Sequence, residues 1–404
     1  MNTTKLIRLA FINFVIVALL GTIMRYKIAY DFPFLQQKNL QLAHQYFAFN
    51  GWVSFILMAL IAHNLFQFIG KESTKKMENI LLLYNVANLG VLFSFALQGY
   101  GTYSIIFLTL SVIINFIFNI YYLVLSYKAN FVSKKWHWAA IIFNFISAIG
   151  AFWLMYIFGA KQINQHTYLK SLYWFLHFQY NGWFFFACLG LFVQYMYKKH
   201  QIEKPFRNIF WMFALTCIPA YGLSVLWAKL SIVVFIIVCI SAIVQFYAIV
   251  YFFYILKKLE FLKKLENKHL KLFFIAVGIA TIIKFSLQLG STIPSVSHFA
   301  FGFRPIIIAY LHLVLLGMIS IFIVTYLYTN HFLINQQRTI TSMYIIFGGI
   351  FANELILAAQ GVGSLSYTAI PYAAGTLVYV SAAIMIGIIM LVIYGFKKSK
   401  REVV

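Results

Sequence analysis

Three histidines stand at matched places in apolar stretches of this chain, and imidazole is the side chain there with most chemistry open to it. His44 opens the run His44-Gln45-Tyr46-Phe47-Ala48-Phe49-Asn50-Gly51-Trp52, and His177 opens His177-Phe178-Gln179-Tyr180-Asn181-Gly182-Trp183. His312 lies in Tyr310-Leu311-His312-Leu313-Val314-Leu315-Leu316-Gly317. The intervals are 133 and 135 residues, close to one third of the 404-residue chain. An imidazole is costly in hydrocarbon, so it turns toward an interior, a cavity or a metal. The glycine after each histidine lets a flat group or another helix approach closely. Two readings stand: three ligands of a bound group, or three hydrogen-bonded packing residues beside a glycine notch.

The elements that position these histidines follow from composition. Hydrophobic residues make up 63% of the chain and charged residues 10%, against about 25% charged in soluble chains. Apolar stretches of span length recur from end to end, and about 20 residues cross a bilayer core. Lipid satisfies no backbone amide, so these stretches are helices; the short alternating segments of a β-barrel are missing. The spans are read at 6–24, 43–69, 79–98, 103–126, 137–159, 170–196, 208–227, 231–256, 272–291, 302–329, 340–361 and 371–396. The expected fold is an all-α, polytopic membrane protein of about 12 transmembrane helices in pseudo-threefold arrangement, one integral membrane domain over 1–404. The basic-fronted first stretch is read as a retained span rather than a cleaved signal.

Charge placement orients the bundle. With the N-terminus in the cytoplasm, Lys5, Arg8, the clusters at 71–76, 128–135, 198–207 and 257–271, Arg338 and the tail from Lys397 to Arg401 fall inside. That is 23 of the 31 basic residues. Arg25, Lys27, Lys38, Lys161, Lys170, Lys229, Lys284 and Arg304 fall outside or in adjoining spans. This positive-inside bias demands an even span count and puts both termini in the cytoplasm. The net charge of +23 is spread over loops, so lipid headgroups, not nucleic acid, are the expected partner.

Further candidates are few. Glu354 and Lys284 fall within spans, where they either pair with each other, as a structural ion pair, or serve a proton path. Asn85 with Asn88 and Asn115 with Asn119 each share one helix face and read as polar glue. His63 reads as packing. His298 is placed in a loop, and His137, His166, His200, His269 and His331 at span ends or in loops. Cys188, Cys217 and Cys239 have neither disulfide nor zinc spacing. No phosphate loop or Cys-X-X-Cys-His is present, which excludes covalent c-type haem.

Twelve spans with histidines at the outer ends of the second, sixth and tenth resemble subunit I of the haem-copper oxidases, a superfamily that includes nitric oxide reductases. The haem- and copper-binding proteins of the nitric oxide response are similar too. His177 to Gly190 resembles the sixth-helix copper-ligand segment, and Ala309 to Gly317 the tenth-helix segment. The resemblance implies His312 as a low-spin haem ligand and, more loosely, His44 as its partner, because His44 lies farther from its glycine. It implies His177 as a copper ligand, Tyr180 near the family's tyrosine, and Arg304 as a holder of haem propionates. Tyr310 stands where the family has its second tenth-helix histidine. The seventh-helix histidine pair is missing between 208 and 227.

The implied cofactor is therefore a b-type haem held by His44 and His312, with a degenerate or absent copper site. The implied role is electron transfer, respiration or nitric oxide and oxygen handling in a bacterial inner membrane, with a redox partner subunit. If the chain is an enzyme it is an oxidoreductase, though not by standard oxygen reduction. The alternatives are a polytopic transporter or permease, whose mark is broken helices, and a cofactor-free membrane scaffold.

The orientation is directly testable. Lys161→Cys is expected to react with an impermeant maleimide on intact cells, and Glu203→Cys only after permeabilisation. The opposite pattern would invert the topology.

Overall fold

The structure, a computed structural model, describes residues 2–161 and 164–396. The tail from Lys397 to Arg401 and the side chain of His298 lie outside the described residues. Among the described residues twelve long helical rods can be traced: α1 (Thr3–Ala29), α2 (Gln37–Phe68), α3 (Lys71–Gln98), α4 (Thr102–Ser126), α5 (Lys134–Gly159), α6 (residues 165–200), α7 (residues 206–225), α8 (Ile232–Lys258), α9 (Lys268–Gly290), α10 (Arg304–Thr329), α11 (Gln337–Leu365) and α12 (Ala373–Tyr394). No strand occurs among the described residues.

Ten of these rods are long and apolar enough to cross a membrane, and eleven if α7, bent by 53° between Phe206–Cys217 and Pro219–Val225, is one span. The remaining rod, α6, is continuous but less apolar, because Gln179, Asn181 and Gln194 lie on it, all buried. Large apolar side chains such as Leu97, Leu215 and Ile232 project from the outer rods, as a surface solvated by acyl chains does. The short helix Pro294–Gly302 covers the approach to α10, so His298 stands on a helix where a loop is expected from sequence.

The packing has three equivalent arcs. α2, α6 and α10 are central: α2 packs on α1 and α3, α6 on α5 and α7, α10 on α9 and α11. The outer rods α4, α8 and α12 carry each arc to the next, through α4 on α5, α8 on α9 and α12 back on α1. This is the pseudo-threefold arrangement expected from the repeat.

The repeat extends to the backbone. Each central helix widens to a π-helix once, at Phe47–Ser54, Phe178–Phe184 and Leu313–Ser320. π-turns are rare, usually single, and frequent at functional sites. Each contains its arc's glycine, Gly51, Gly182 or Gly317. Alignment on these glycines pairs Tyr46, not His44, with His177 and His312. The histidine repeat is thus twofold in structural register, with His44 about half a turn outward.

The same register explains how the central helices are tied. The residue after the glycine is Trp52, Trp183 or Met318, and the third after it is Ser54, Phe185 or Ser320. Trp183 Nε1 donates to Ser54 Oγ at 3.0 Å, joining α6 to α2. Trp52 Nε1 donates to Ser320 Oγ at 3.0 Å, joining α2 to α10. Ser320 Oγ in turn donates to Leu315 O at 2.7 Å, a carbonyl in the widened turn. The third seam, between Met318 and Phe185, has no such bond.

A second layer of amides stitches outer rods to this centre. Asn13 Nδ2 on α1 donates to Gly51 O at 2.7 Å and to Asn85 Oδ1 at 2.6 Å. Asn119 and Asn144 both donate to Asn115 Oδ1, at 2.9 and 3.0 Å, and Ser111 donates to Asn88. The expected asparagine glue is therefore present. Each such bond contributes about 0.6 kcal/mol on average in a bilayer, so it is the set that fixes register.

Gly182 sets the α5–α6 distance: a Cβ there would lie 2.5 Å from Phe143 Cβ, an atom rooted to the backbone. Gly182→Ala is expected to destabilise the bundle by about 1–3 kcal/mol, read as a lower thermal midpoint in detergent. Gly348→Ala, with nothing within 4 Å, is expected to leave it unchanged. Equal midpoints for the two variants would refute this packing.

Candidate functional site

The outer half of α10 is unlike the rest of the central helices. Every residue from 305 to 313 is only partly covered, on all faces, whereas nearly everything from Gly317 to Thr329 is buried. Its main packing is on α11, while the outer half of α2 packs on α1 and α3. At their outer ends α2 and α10 are joined by a side-chain bond from Arg304 to Gln41, with His44 on one helix and His312 on the other.

Both imidazoles are oriented by a backbone carbonyl. His44 Nδ1 lies 3.1 Å from Val17 O on α1, and His312 Nδ1 lies 2.8 Å from Ile308 O one turn back on its own helix. A carbonyl can only accept, so Nδ1 carries the proton and Nε2 keeps its lone pair. Among the described residues neither Nε2 meets a protein hydrogen-bond partner. The same arrangement, one ring nitrogen anchored on an oxygen acceptor and the other free, orients metal-bound histidines in general. Gly21 lies alongside the ring, where a Cβ would make an ordinary 3.4 Å contact with His44 Cε1.

Charge gathers around this pair. The two imidazoles are electrostatic neighbours of each other and of the Arg25 guanidinium. Arg25 in turn faces the Glu354 carboxylate of α11. Glu354 accepts from Asn353 Nδ2 at 3.1 Å, while its Oε2 has no hydrogen bond. In the sequence Arg25 is one more outer cation; the signal that marks it is its place at the end of an apolar span one turn beyond Gly21.

His177 belongs to a different environment. Its Nε2–H donates to Cys217 O at 2.9 Å, and its Nδ1 accepts from Asn181 Nδ2 at 3.0 Å, with Ser224 Oγ at 3.4 Å. Both nitrogens are thus committed to protein, and the ring is fully buried. The reason lies in α7. Past Cys217 the chain tightens into a 3-10 turn, with Tyr221 N bonded to Ile218 O, so Cys217 O loses its helical donor. His177 supplies the missing one. The expected copper ligand is instead a clamp on a broken helix. Among the described residues no group of three His, Cys, Asp or Glu could hold a metal ion, so the expected trio His44, His177 and His312 does not form one site.

The other candidates separate as well. Lys284 does not pair with Glu354. Its ammonium is buried, 3.5 Å from the Phe285 ring centroid and 5.7 Å from that of Phe185, with Cys217 and His177 as electrostatic neighbours. Arg304 is exposed and donates from Nη2 to Gln41 Oε1 at 2.6 Å, linking α10 to α2 at the outer surface. Tyr180 faces Tyr310, ring centroids 6.2 Å apart. His63 accepts or donates at Nδ1 with Thr3 Oγ1 at 3.0 Å, the packing role expected. His137, assigned no role from sequence, is buried and bonded through Nδ1 to Tyr122 OH at 2.8 Å. Tyr46 and Tyr100, also unmarked by sequence, share a 2.5 Å hydroxyl contact.

Compared with known proteins, the chain matches no family model and no curated protein.

The clamp can be separated from ligation. His177→Ala strands Cys217 O in the interior, at a cost of about 1–3 kcal/mol, and is expected to lower the thermal midpoint without changing the metal content of the purified protein. Loss of one bound copper per chain on this substitution would make His177 a ligand.

Proposed function

We propose that the protein is a membrane haem protein of haem-copper-oxidase-like architecture, holding a b-type haem between His44 and His312 and serving electron transfer. The observation that carries this reading is the pair of anchored imidazoles, each with Nδ1 on a carbonyl and Nε2 unpartnered, on two central helices and electrostatic neighbours of each other. Bis-imidazole iron supplies one-electron chemistry. The chain's own contribution is orientation and charge: Val17 O and Ile308 O fix the rings, and Arg25 balances the acidic groups of the macrocycle. Arg304, with Gln41, guards the outer rim. The residues present do not fit a copper centre beside it, because His177 has no free nitrogen and α7 carries no histidine. Oxygen reduction by the standard route is therefore not proposed.

In this reading α6 is the twelfth span, both termini are cytoplasmic, the membrane is of the bacterial inner type, and a partner subunit exchanges the electron. A second reading, a transporter, is favoured by one observation: the bend in α7 beside the buried Lys284 is the kind of broken helix that lines substrate sites.

Absorption spectra of detergent-purified protein from haem-replete cells distinguish the two. A Soret band with sharp α and β bands on dithionite reduction is expected, lost in His44→Ala and His312→Ala and retained in Glu354→Ala. A colourless wild-type preparation would turn the assignment to transport.

A further inference from the structure

The third seam of the central trio holds a second site. Two seams are closed by Trp–Ser bonds; at the third, between α6 and α10, the equivalent positions are Phe185 and Met318. Those two residues line a cavity of about 440 Å3, within the roughly 300–1,000 Å3 span of small-molecule sites. Its walls continue through Phe192, Phe252, Phe274 and Phe322, contributed by α6, α8, α9 and α10. It opens between α8 and α9, where Ile275, Ile279 and Ile282 are exposed on the bilayer-facing side. Its lower rim is the basic α8–α9 connection, with Lys257, Glu260 and Lys263.

We infer that this cavity binds one anionic glycerophospholipid, an acyl chain inside and the phosphate at Lys257. The lining decides the class. Thr281 is the hydroxyl-bearing wall residue, and its Oγ1 is already spent on Val277 O at 2.7 Å. Cys188 offers only a weak thiol donor. A quinone head, which needs donors to its carbonyls, finds none inside, whereas a hydrocarbon chain needs none. The rim decides the charge. Glu260 is neutralised by Lys263 at 2.6 Å, which leaves Lys257, followed in sequence by Lys258, without an acidic partner among the described residues. A cluster of cations at the cytoplasmic headgroup level attracts anionic lipid.

The test is native mass spectrometry of the full-length protein from nanodiscs of phosphatidylcholine containing a minority of phosphatidylglycerol with matched acyl chains. One phosphatidylglycerol is expected to stay bound through delipidation. Lys257→Glu, on an exposed position, is expected to lower its retention about tenfold. Gly278→Leu, pointing into the cavity beside Phe253, is expected to abolish it. Equal retention of phosphatidylcholine, retention unchanged in Lys257→Glu, or a neutral quinone in its place would each overturn the assignment. The readout is bound lipid, so it stands apart from whether the protein is coloured.

Discussion

Within a bilayer a backbone carbonyl without a donor costs several kcal/mol, and no water is at hand to relieve it. That constraint organises this bundle. The three central helices widen into π-turns and α7 breaks, and each irregularity exposes backbone oxygens that must be met. Asn13 meets Gly51 O, Ser320 meets Leu315 O, and His177 meets Cys217 O. Irregular backbone at membrane depth is tolerated here because it is buried in protein and answered by side chains.

The same accounting distinguishes the histidines. His177 has both nitrogens bonded to protein, so its chemistry is used up in holding α7. His44 and His312 each spend one nitrogen on a carbonyl and keep the other. His137 is likewise bonded at Nδ1 and open at Nε2, so what sets His44 and His312 apart is that they neighbour each other and Arg25, which in turn faces Glu354.

Much of this was legible in the residues. Composition and the basic loops indicate the helical membrane class, and the His-Gly spacing of 177–182 and 312–317 marks two of three equivalent turns. The misfit of His44 to that spacing was also visible, and it has a structural meaning: Tyr46 occupies the equivalent place. What spacing could not disclose was the widening of the turns, because it depends on i to i+5 bonding rather than on residue type. The division of labour among imidazoles was equally hidden, since it follows from a break at Cys217–Pro219 that frees one carbonyl forty residues away. Lys284 and Glu354 looked like a pair because both are charged within spans; the fold puts one against aromatic rings and the other opposite Arg25.

The threefold pattern is broken at one seam. Arcs one and two share Gly-Trp, whereas arc three has Gly-Met, and that replacement opens the seam at Phe185. A cryo-electron microscopy map of the protein from haem-replete membranes tests the central claim most directly. The account expects a flat, metal-centred density joining Nε2 of His44 to Nε2 of His312, both Nδ1 atoms still on Val17 O and Ile308 O. Outer halves of α2 and α10 closed on each other, with either Nε2 bonded to protein, would contradict it.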